Sequence, residues 1–388
     1  MSRNAGELMA AFCEMFGSGQ VRAVRAPGRV NLIGDHTDYH GLPVLPMAIQ
    51  REIRIAFRPR PDRTVRLASL QGFEPREFVL ESCIPPYSAG DWGNYAKAAA
   101  QALITRYPEL RGVDALVEGN IPPAAGLSSS SALVVACALV LLEANSLPWE
   151  RKALSEWMAA GERYVGTQGG GMDQTVCLCA QPGCALKIDF TPFRTTPVPI
   201  PPHWAFVIAN SLVTAAKAAG AREHYNSTRV RSQEALKFFG EHTSYPEVLE
   251  HGAGSAASVA QRMPPEIRGP FLHTISEAQR VEDAVAALHG ARYAEFGRLM
   301  NESHASMRDQ LRASCPEADE LAASCLRGGA VGARITGAGF GGCVVALTTR
   351  EHAASLMRYL DETYYARRSL VQDHIFPAEP CGGAGLLE

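Results

Sequence analysis

RITGAGFGGCVVALTT, residues Arg334 to Thr349, decides the fold class. Its glycines at 337, 339 and 342 satisfy the G-x-G-x-x-G pattern of dinucleotide-binding folds. That pattern needs a helix directly after the turn, because the helix N-terminus supplies the pyrophosphate site. Here the turn runs into CVVALTT, an apolar, β-branched stretch that reads as a strand. A Rossmann unit is therefore rejected. What remains is a glycine-rich turn pressed against a ligand or against other backbone, and tight packing between strands explains such glycines about as often as a ligand does.

Working outward, helices and strands mix without strict βαβ alternation, which predicts an α+β fold. At 388 residues the chain exceeds what one core usually supports, so two domains are expected, 1–195 and 196–388. The proline-rich TPFRTTPVPIPPHW, Thr191 to Trp204, is the candidate boundary. Before it, VRAVRAPGRVNLIG, VLPMAIQREIRIAFRP, RTVRLASL and REFVLES read as strands, and VDALVEGNIP as a further strand leading into PAAGLSSSS. The residues from Ser129 to Ala144 are almost wholly apolar at helical length, which predicts a helix buried on most of its surface. Beyond it, FVIAN reads as a strand, and long amphipathic helices are expected around Val230 to Phe239 and Arg280 to Leu299.

Composition narrows the partners. An apolar fraction of 46% with 20% charged residues is that of a globular protein, and 37 basic against 40 acidic side chains leave no field for a polyanion. Neither nucleic acid nor a membrane is expected as a partner. The longest apolar run, Ala132 to Leu142, is 11 residues, against the roughly 20 that span a bilayer. The amino terminus carries glutamates inside its apolar pattern and reads as an amphipathic helix, so a cytoplasmic location is expected. Ten scattered cysteines without a CxxC pair read as reduced thiols.

Three stretches could carry chemistry. GLSSSSA, Gly126 to Ala132, puts small residues at a helix N-terminus, where free backbone N–H groups and the helix dipole make an anion site. A serine N-cap would need one serine, and four in succession favour phosphate. In GTQGGGMDQT, Asp173 follows three glycines; such an aspartate is more often a turn residue unless a partner is found. GRVNLIGDHTDYHGLPVLP, Gly28 to Pro46, crowds aspartates, histidines, an arginine, an asparagine and a tyrosine between apparent strands. There is no GxxxxGK[ST], HExxH or GxSxG, and the sequons at Asn226 and Asn301 read as coincidental.

Taken together, GRVNLIGDHTDYHG, GNIPPAAGLSSSSA and ARITGAGFGGCVV, in this order and spacing, resemble the three motifs of the GHMP sugar and metabolite kinases, the first in its galactokinase form. The likeness continues through GERYVGTQGGGMDQ, FVIANSLV and HYNSTRV and covers nearly the whole chain. It implies the two-domain GHMP kinase fold with the active site in the cleft between domains. It also implies ATP and Mg²⁺ as cofactors and phosphorylation of galactose at its anomeric hydroxyl. N-acetylgalactosamine kinase or another sugar 1-kinase is the alternative, and a non-catalytic sugar and ATP sensor ranks below both. A monomer or weak homodimer is expected.

By the resemblance, Asp35, His36 and Asp38, with the backbone of Gly170 and the hydroxyl of Tyr225, read the sugar's hydroxyls through charge-assisted bonds. Asp173 falls on the family's catalytic aspartate and Arg29 on its catalytic arginine. Gly126, Leu127, Ser128, Ser129 and Ser130 form the phosphate loop, and Trp92 and Tyr95 line the adenine pocket. Ser130 and Glu162 are the implied Mg²⁺ ligands. Two departures stand out: Asp35 replaces the family's usual glutamate, and Ala124 and Ala125 occupy loop positions that tolerate alanine where φ is negative.

Overall fold

The first half of the chain builds a sheet around one apolar helix. A computed structural model describes residues 4–166, 169–213, 221–371 and 373–387, with backbone only at 221–224 and 253. Its first-half elements are α1 (Ala5–Phe16), β1 (Arg22–Ile33), β2 (Leu45–Pro59), β3 (Thr64–Ser69), β4 (Arg76–Val79), α2 (Gly93–Ile104), β5 (Val113–Gly119), α3 (Ser129–Ala144), α4 (Arg151–Gly161), α5 (Met172–Cys179), β6 (Cys184–Phe190) and β7 (Phe193–Pro199). The second half adds β8 (Trp204–Asn210), α6 (Ala221–Ala235), α7 (Tyr245–Glu250), α8 (Ala253–Ala260), α9 (Pro265–His289), α10 (Tyr293–Asp309), α11 (Pro316–Arg327), β9 (Gly332–Ile335), β10 (Cys343–Thr349), α12 (Arg350–Thr363), β11 (Ile375–Ala378) and β12 (Gly385–Leu386).

The α+β expectation holds. One sheet runs β12-β1-β2-β5-β3-β4, antiparallel except for the β3/β5 pair, and a second runs β11-β8-β10-β9. Strand β12 pairs with β1, so the last residues of the chain complete the sheet formed by the first ones. Helix α3 begins and ends where the apolar run predicted, and every residue from Ser131 to Leu142 is buried. It lies against β1, β2, α2 and α5, which is why no polar face is needed. The main apolar core passes from this helix into the second half, where Trp204 and Phe296 meet at 5.4 Å between ring centres.

Three expectations about elements need correcting. The helix expected over Arg280 to Leu299 is two helices, because Ala291 takes φ +49° and Arg292 N–H turns back to the Ala287 carbonyl at 2.8 Å. The proline-rich stretch from Thr191 is mostly strand β7, tolerated because the β6–β7 hairpin is a two-stranded sheet and prolines fit an edge. Position 195/196 thus lies within β7, and the connection to β8 is 200–203. The helix expected over Val230 to Phe239 leaves α geometry after Ala235 and closes in a short 3₁₀ turn.

Where α10 crosses β9 the backbones nearly touch. Asn301 of the second sequon braces this contact, accepting from Ala333 N–H at 2.9 Å and donating to the Val331 carbonyl at 3.2 Å. A Cβ on Gly297 would sit 2.6 Å from the Val331 oxygen, and one on Gly332 would sit 2.5 Å from the Gly297 oxygen. Among the described residues no helix is long and apolar enough to cross a membrane.

In an ordinary helix interior, Gly→Ala gains about 1 kcal/mol. Gly297→Ala is predicted to reverse that sign and cost about 1–3 kcal/mol in urea unfolding, because α10 must move off β9. An unchanged or raised stability contradicts the close crossing.

Candidate active site

Strand β1 is irregular where the site begins. Its pairing with β2 shifts register between Pro27 and Arg29, since Pro27 has no N–H to offer and Arg29 sends its own to the Leu127 carbonyl at 3.1 Å. Gly28 lies beside that contact; a Cβ there would be 2.8 Å from the same oxygen. The Arg29 side chain, 6% exposed, reaches Asp173 in a two-pronged pair: Nε to Oδ1 at 2.8 Å and Nη2 to Oδ2 at 3.1 Å. Its remaining nitrogen, Nη1, donates to the Gly126 carbonyl at 2.5 Å.

Asp173 is therefore no turn residue. It lies in the first turn of α5, after Gly171 at φ +103°, where the helix dipole favours an anion. Its side chain is 27% exposed, against 6% for its partner. The Ser128 hydroxyl donates to Oδ2 of the same carboxylate.

The serine loop is anchored through three successive carbonyls. Ala125 accepts from Cys343 N–H at 3.0 Å, Gly126 from Arg29 and Leu127 from the Arg29 backbone. The chain then enters α3, whose first N–H groups, at Ser129, Ser130 and Ser131, have no partner within the helix by its geometry. Ala124 departs from expectation: its φ is +53°, a left-handed conformation in which an alanine stores about 1 kcal/mol or more. The glycine-rich turn after β9 explains this crowding. A Cβ on Gly337 would lie 2.9 Å from the Gly126 oxygen, and one on Gly342 2.8 Å from the Ala125 oxygen. Backbone against backbone is what those glycines permit.

Glu162 is buried and accepts from Ser131 at 2.5 Å, with Gln174 reaching the same hydroxyl at 3.4 Å. The resemblance implies Ser130 and Glu162 as Mg²⁺ ligands; the hydroxyl bonded to Glu162 is that of Ser131, and Ser130 is half-buried one position earlier. Burial pushes the Glu162 carboxyl up to about 7, with the Asp173 charge adding to the rise. Hydroxyl and carboxylate are the hard oxygen donors Mg²⁺ prefers, and a dication would relieve a carboxyl held up in this way. Among the described residues there is no group of three or more His, Cys, Asp or Glu that could hold a metal ion.

Trp92 and Tyr95 stand apart, at the head of α2. The Trp92 indole donates to the Glu74 carbonyl at 2.9 Å and lies 6.0 Å from the Phe73 ring, while half-buried Tyr95 packs on the main core.

The residues from Asp35 to Asp38 form a tight loop after β1. The Gly170 N–H donates to Asp38 Oδ2 at 3.0 Å, and a Cβ on Gly170 would be 2.3 Å from the Asp38 backbone, so only glycine fits. Burial, then the nearby Asp173 charge, pushes the Asp38 carboxyl up to about 6. His36, held below its ordinary value by burial, bonds Tyr39 Oη at 2.8 Å and the Ala338 carbonyl at 3.1 Å, and its ring lies 5.1 Å from Tyr225. Asp38, Gly170, His36 and Tyr225 thus gather beside Asp173.

Asp35 faces the other way. Only 1% exposed, its carboxylate accepts from Asn31 at 2.7 Å and from Arg334 at 2.5 Å. Arg334, wholly buried, also donates to the Asn31 carbonyl at 2.8 Å and lies 4.0 Å from Glu277. Glu277 in turn accepts from Gly34 N–H at 2.9 Å and from Arg280 at 2.7 Å, while His273 bonds the Asp35 carbonyl at 3.0 Å. Although burial opposes it, the cations Arg280 and Arg334 help hold Glu277 down to about 2. None of Arg334, Glu277 and His273 was found from sequence; only Arg334, a charge inside an otherwise apolar strand GARI, gave a signal.

Family profiles match over residues 10–59 (galactokinase galactose-binding signature), 94–181 (GHMP kinases N terminal domain) and 284–366 (GHMP kinases C terminal). A galactokinase of Roseiflexus sp. (strain RS-1) is 37% identical over 369 residues, 93% of this chain and 92% of its own. The crystal structure of Lactococcus lactis galactokinase complexed with galactose superposes with a TM-score of 0.87 at 28% identity, over 98% of this chain and 99% of its own. L. major mevalonate kinase in complex with R-mevalonate, at 18% identity and TM-score 0.62 over 94% of this chain and 98% of its own, shares the fold.

The buried charges make a stability prediction. Arg334→Met leaves Asp35 and Glu277 without that counter-charge and is expected to cost about 3–5 kcal/mol in urea unfolding. A loss below about 1 kcal/mol would mean the carboxylates do not depend on it.

Proposed function

The chain belongs to the galactokinase family of the GHMP kinases, and from that premise we propose how its residues divide the work. The enzyme transfers the terminal phosphoryl group of ATP to the anomeric hydroxyl of D-galactose, giving α-D-galactose 1-phosphate and ADP. In the proposed reaction, Asp173 takes the proton of that hydroxyl as its oxygen bonds to the γ-phosphorus and the bond to the ADP oxygen breaks. Arg29 keeps the carboxylate in a fixed orientation and offers positive charge to the transferred group. Such a clamp is worth on the order of 3 kcal/mol to the transition state.

His36, Asp38, Gly170 and Tyr225 bind and orient the hexose, and Asp35 supports their loop from behind through Arg334. The backbone N–H groups of the serine loop from Gly126 to Ser130 and of the start of α3 bind the phosphates, with Trp92 and Tyr95 beside the base. Ser130 and Glu162 would hold Mg²⁺, which when bound with ATP neutralises charge on the β- and γ-oxygens. The observation that supports this reading most strongly is the two-pronged Arg29–Asp173 pair at the mouth of the serine loop, at 2.8 and 3.1 Å.

Asp173→Ala is expected to lower kcat by about 10²–10⁴-fold while galactose still binds, followed by product phosphorus NMR and by calorimetry. An active variant refutes the assigned acceptor. With ATP and Mg²⁺ saturating, kcat/KM for galactose should fall as pH drops through about 6. A raised carboxyl such as Asp38 is protonated below that point and loses its charge-assisted bonds to sugar hydroxyls. A flat profile between pH 7 and pH 5 contradicts this.

A further inference from the structure

Ser128 is built against local rules. It stands at the N-cap of α3 but in the left-handed conformation, φ +59° and ψ +39°, where an N-cap serine usually lies in the extended region. A glycine would hold that backbone without strain. Nor does the hydroxyl cap the helix: no side-chain capping bond is made. The chain thus keeps a strained serine at a helix start and gains no cap from it. What the serine does make is a bond to Asp173 Oδ2.

Counting lone pairs shows the consequence. A carboxylate oxygen accepts about two hydrogen bonds. Oδ2 receives one from Arg29 Nη2 at 3.1 Å and one from Ser128, whereas Oδ1 receives that of Arg29 Nε at 2.8 Å. Among the described residues Oδ2 is therefore filled, and Oδ1 has room for one more donor.

We propose that Ser128 is a positioning residue for Asp173, which saturates Oδ2 and so makes Oδ1 the atom that receives the sugar's proton, instead of serving as a phosphate ligand. The inference rests on Asp173 being the proton acceptor. The sugar O–H bond breaks as its oxygen bonds to phosphorus, the proton goes to Oδ1, and ADP leaves with the electron pair of the broken bond. Ser128 keeps its own proton throughout. Without its hydroxyl the carboxylate has two unequal ways to present an oxygen, and fewer bound complexes are correctly aligned.

The test compares Ser128→Ala and Ser128→Gly with the parent enzyme in kcat, in KM for ATP and for galactose, and in thermal unfolding. The expected result is a fall of about tenfold in kcat for both variants, with each KM within about twofold of the parent. Ser128→Gly should also melt at a higher temperature, because relieving the left-handed strain stabilises the loop while the reaction slows. A merely structural serine would tie slower turnover to lower stability. The proposal is overturned if kcat stays within twofold, or if the loss appears as a raised KM for ATP, which is the mark of a phosphate ligand. Asp173→Ala in the same series separates the two readings. If it stays active, the acceptor assignment fails. If it is inactive while both Ser128 variants keep their kcat, only the role of Ser128 fails.

Discussion

A guanidinium taken almost wholly out of water has to be answered by charge and by hydrogen bonds, and Arg29 is answered from three directions at once. Asp173 supplies the charge from α5, Gly126 supplies a carbonyl from the serine loop, and the Arg29 backbone joins Leu127 in the same loop. That one side chain fixes where β1, α5 and the start of α3 stand relative to one another. A loose version would cost stability as well as rate, because separating the pair would leave a buried charge unpaired. The same contact explains two local oddities, the register shift after Pro27 and the glycine at 28.

The second half of the chain contributes braces to this arrangement. Its glycine-rich turn packs its backbone against the serine loop, and Cys343 N–H bonds the Ala125 carbonyl. Thr336 ties the same turn to Asn31 of β1 through two hydrogen bonds, at 2.8 and 3.1 Å. Behind the loop from Asp35 to Asp38, Arg334 on β9 and Glu277 on α9 form a buried charged layer against Asp35 and Gly34. Two loops from the first half, the serine loop and the loop from Asp35 to Asp38, are thus held by neighbouring parts of β9 and the turn that follows it.

Much of this was legible in the residues, and the limits have physical causes. Helix α3 could be read to its end residues because an unbroken apolar run of that length has one stable placement. The rejection of the Rossmann reading held because CVVALTT does form β10. What escaped depends on backbone torsion or on distant partners. The break at Ala291 interrupts a continuous amphipathic pattern without a proline, and the positive φ of Ala124 leaves no trace in composition. Ser131 and Ser130 are indistinguishable as letters, and only the winding of α3 decides which one meets Glu162. Glu277 and His273 lie before the helix expected from Arg280, and only the packing of α9 on the first half shows them buried against Gly34 and Asp35. The motif residues around Asp173 gave no geometry by themselves, since Arg29 lies 144 positions away in sequence.

The most direct measurement is a crystal structure with galactose and a non-hydrolysable ATP analogue bound together. The account predicts the galactose anomeric oxygen within about 3 Å of an Asp173 carboxylate oxygen, with the Arg29 pair intact and the terminal phosphate on the serine loop. An anomeric oxygen bonded to another residue, with Asp173 beyond hydrogen-bond reach, would contradict it.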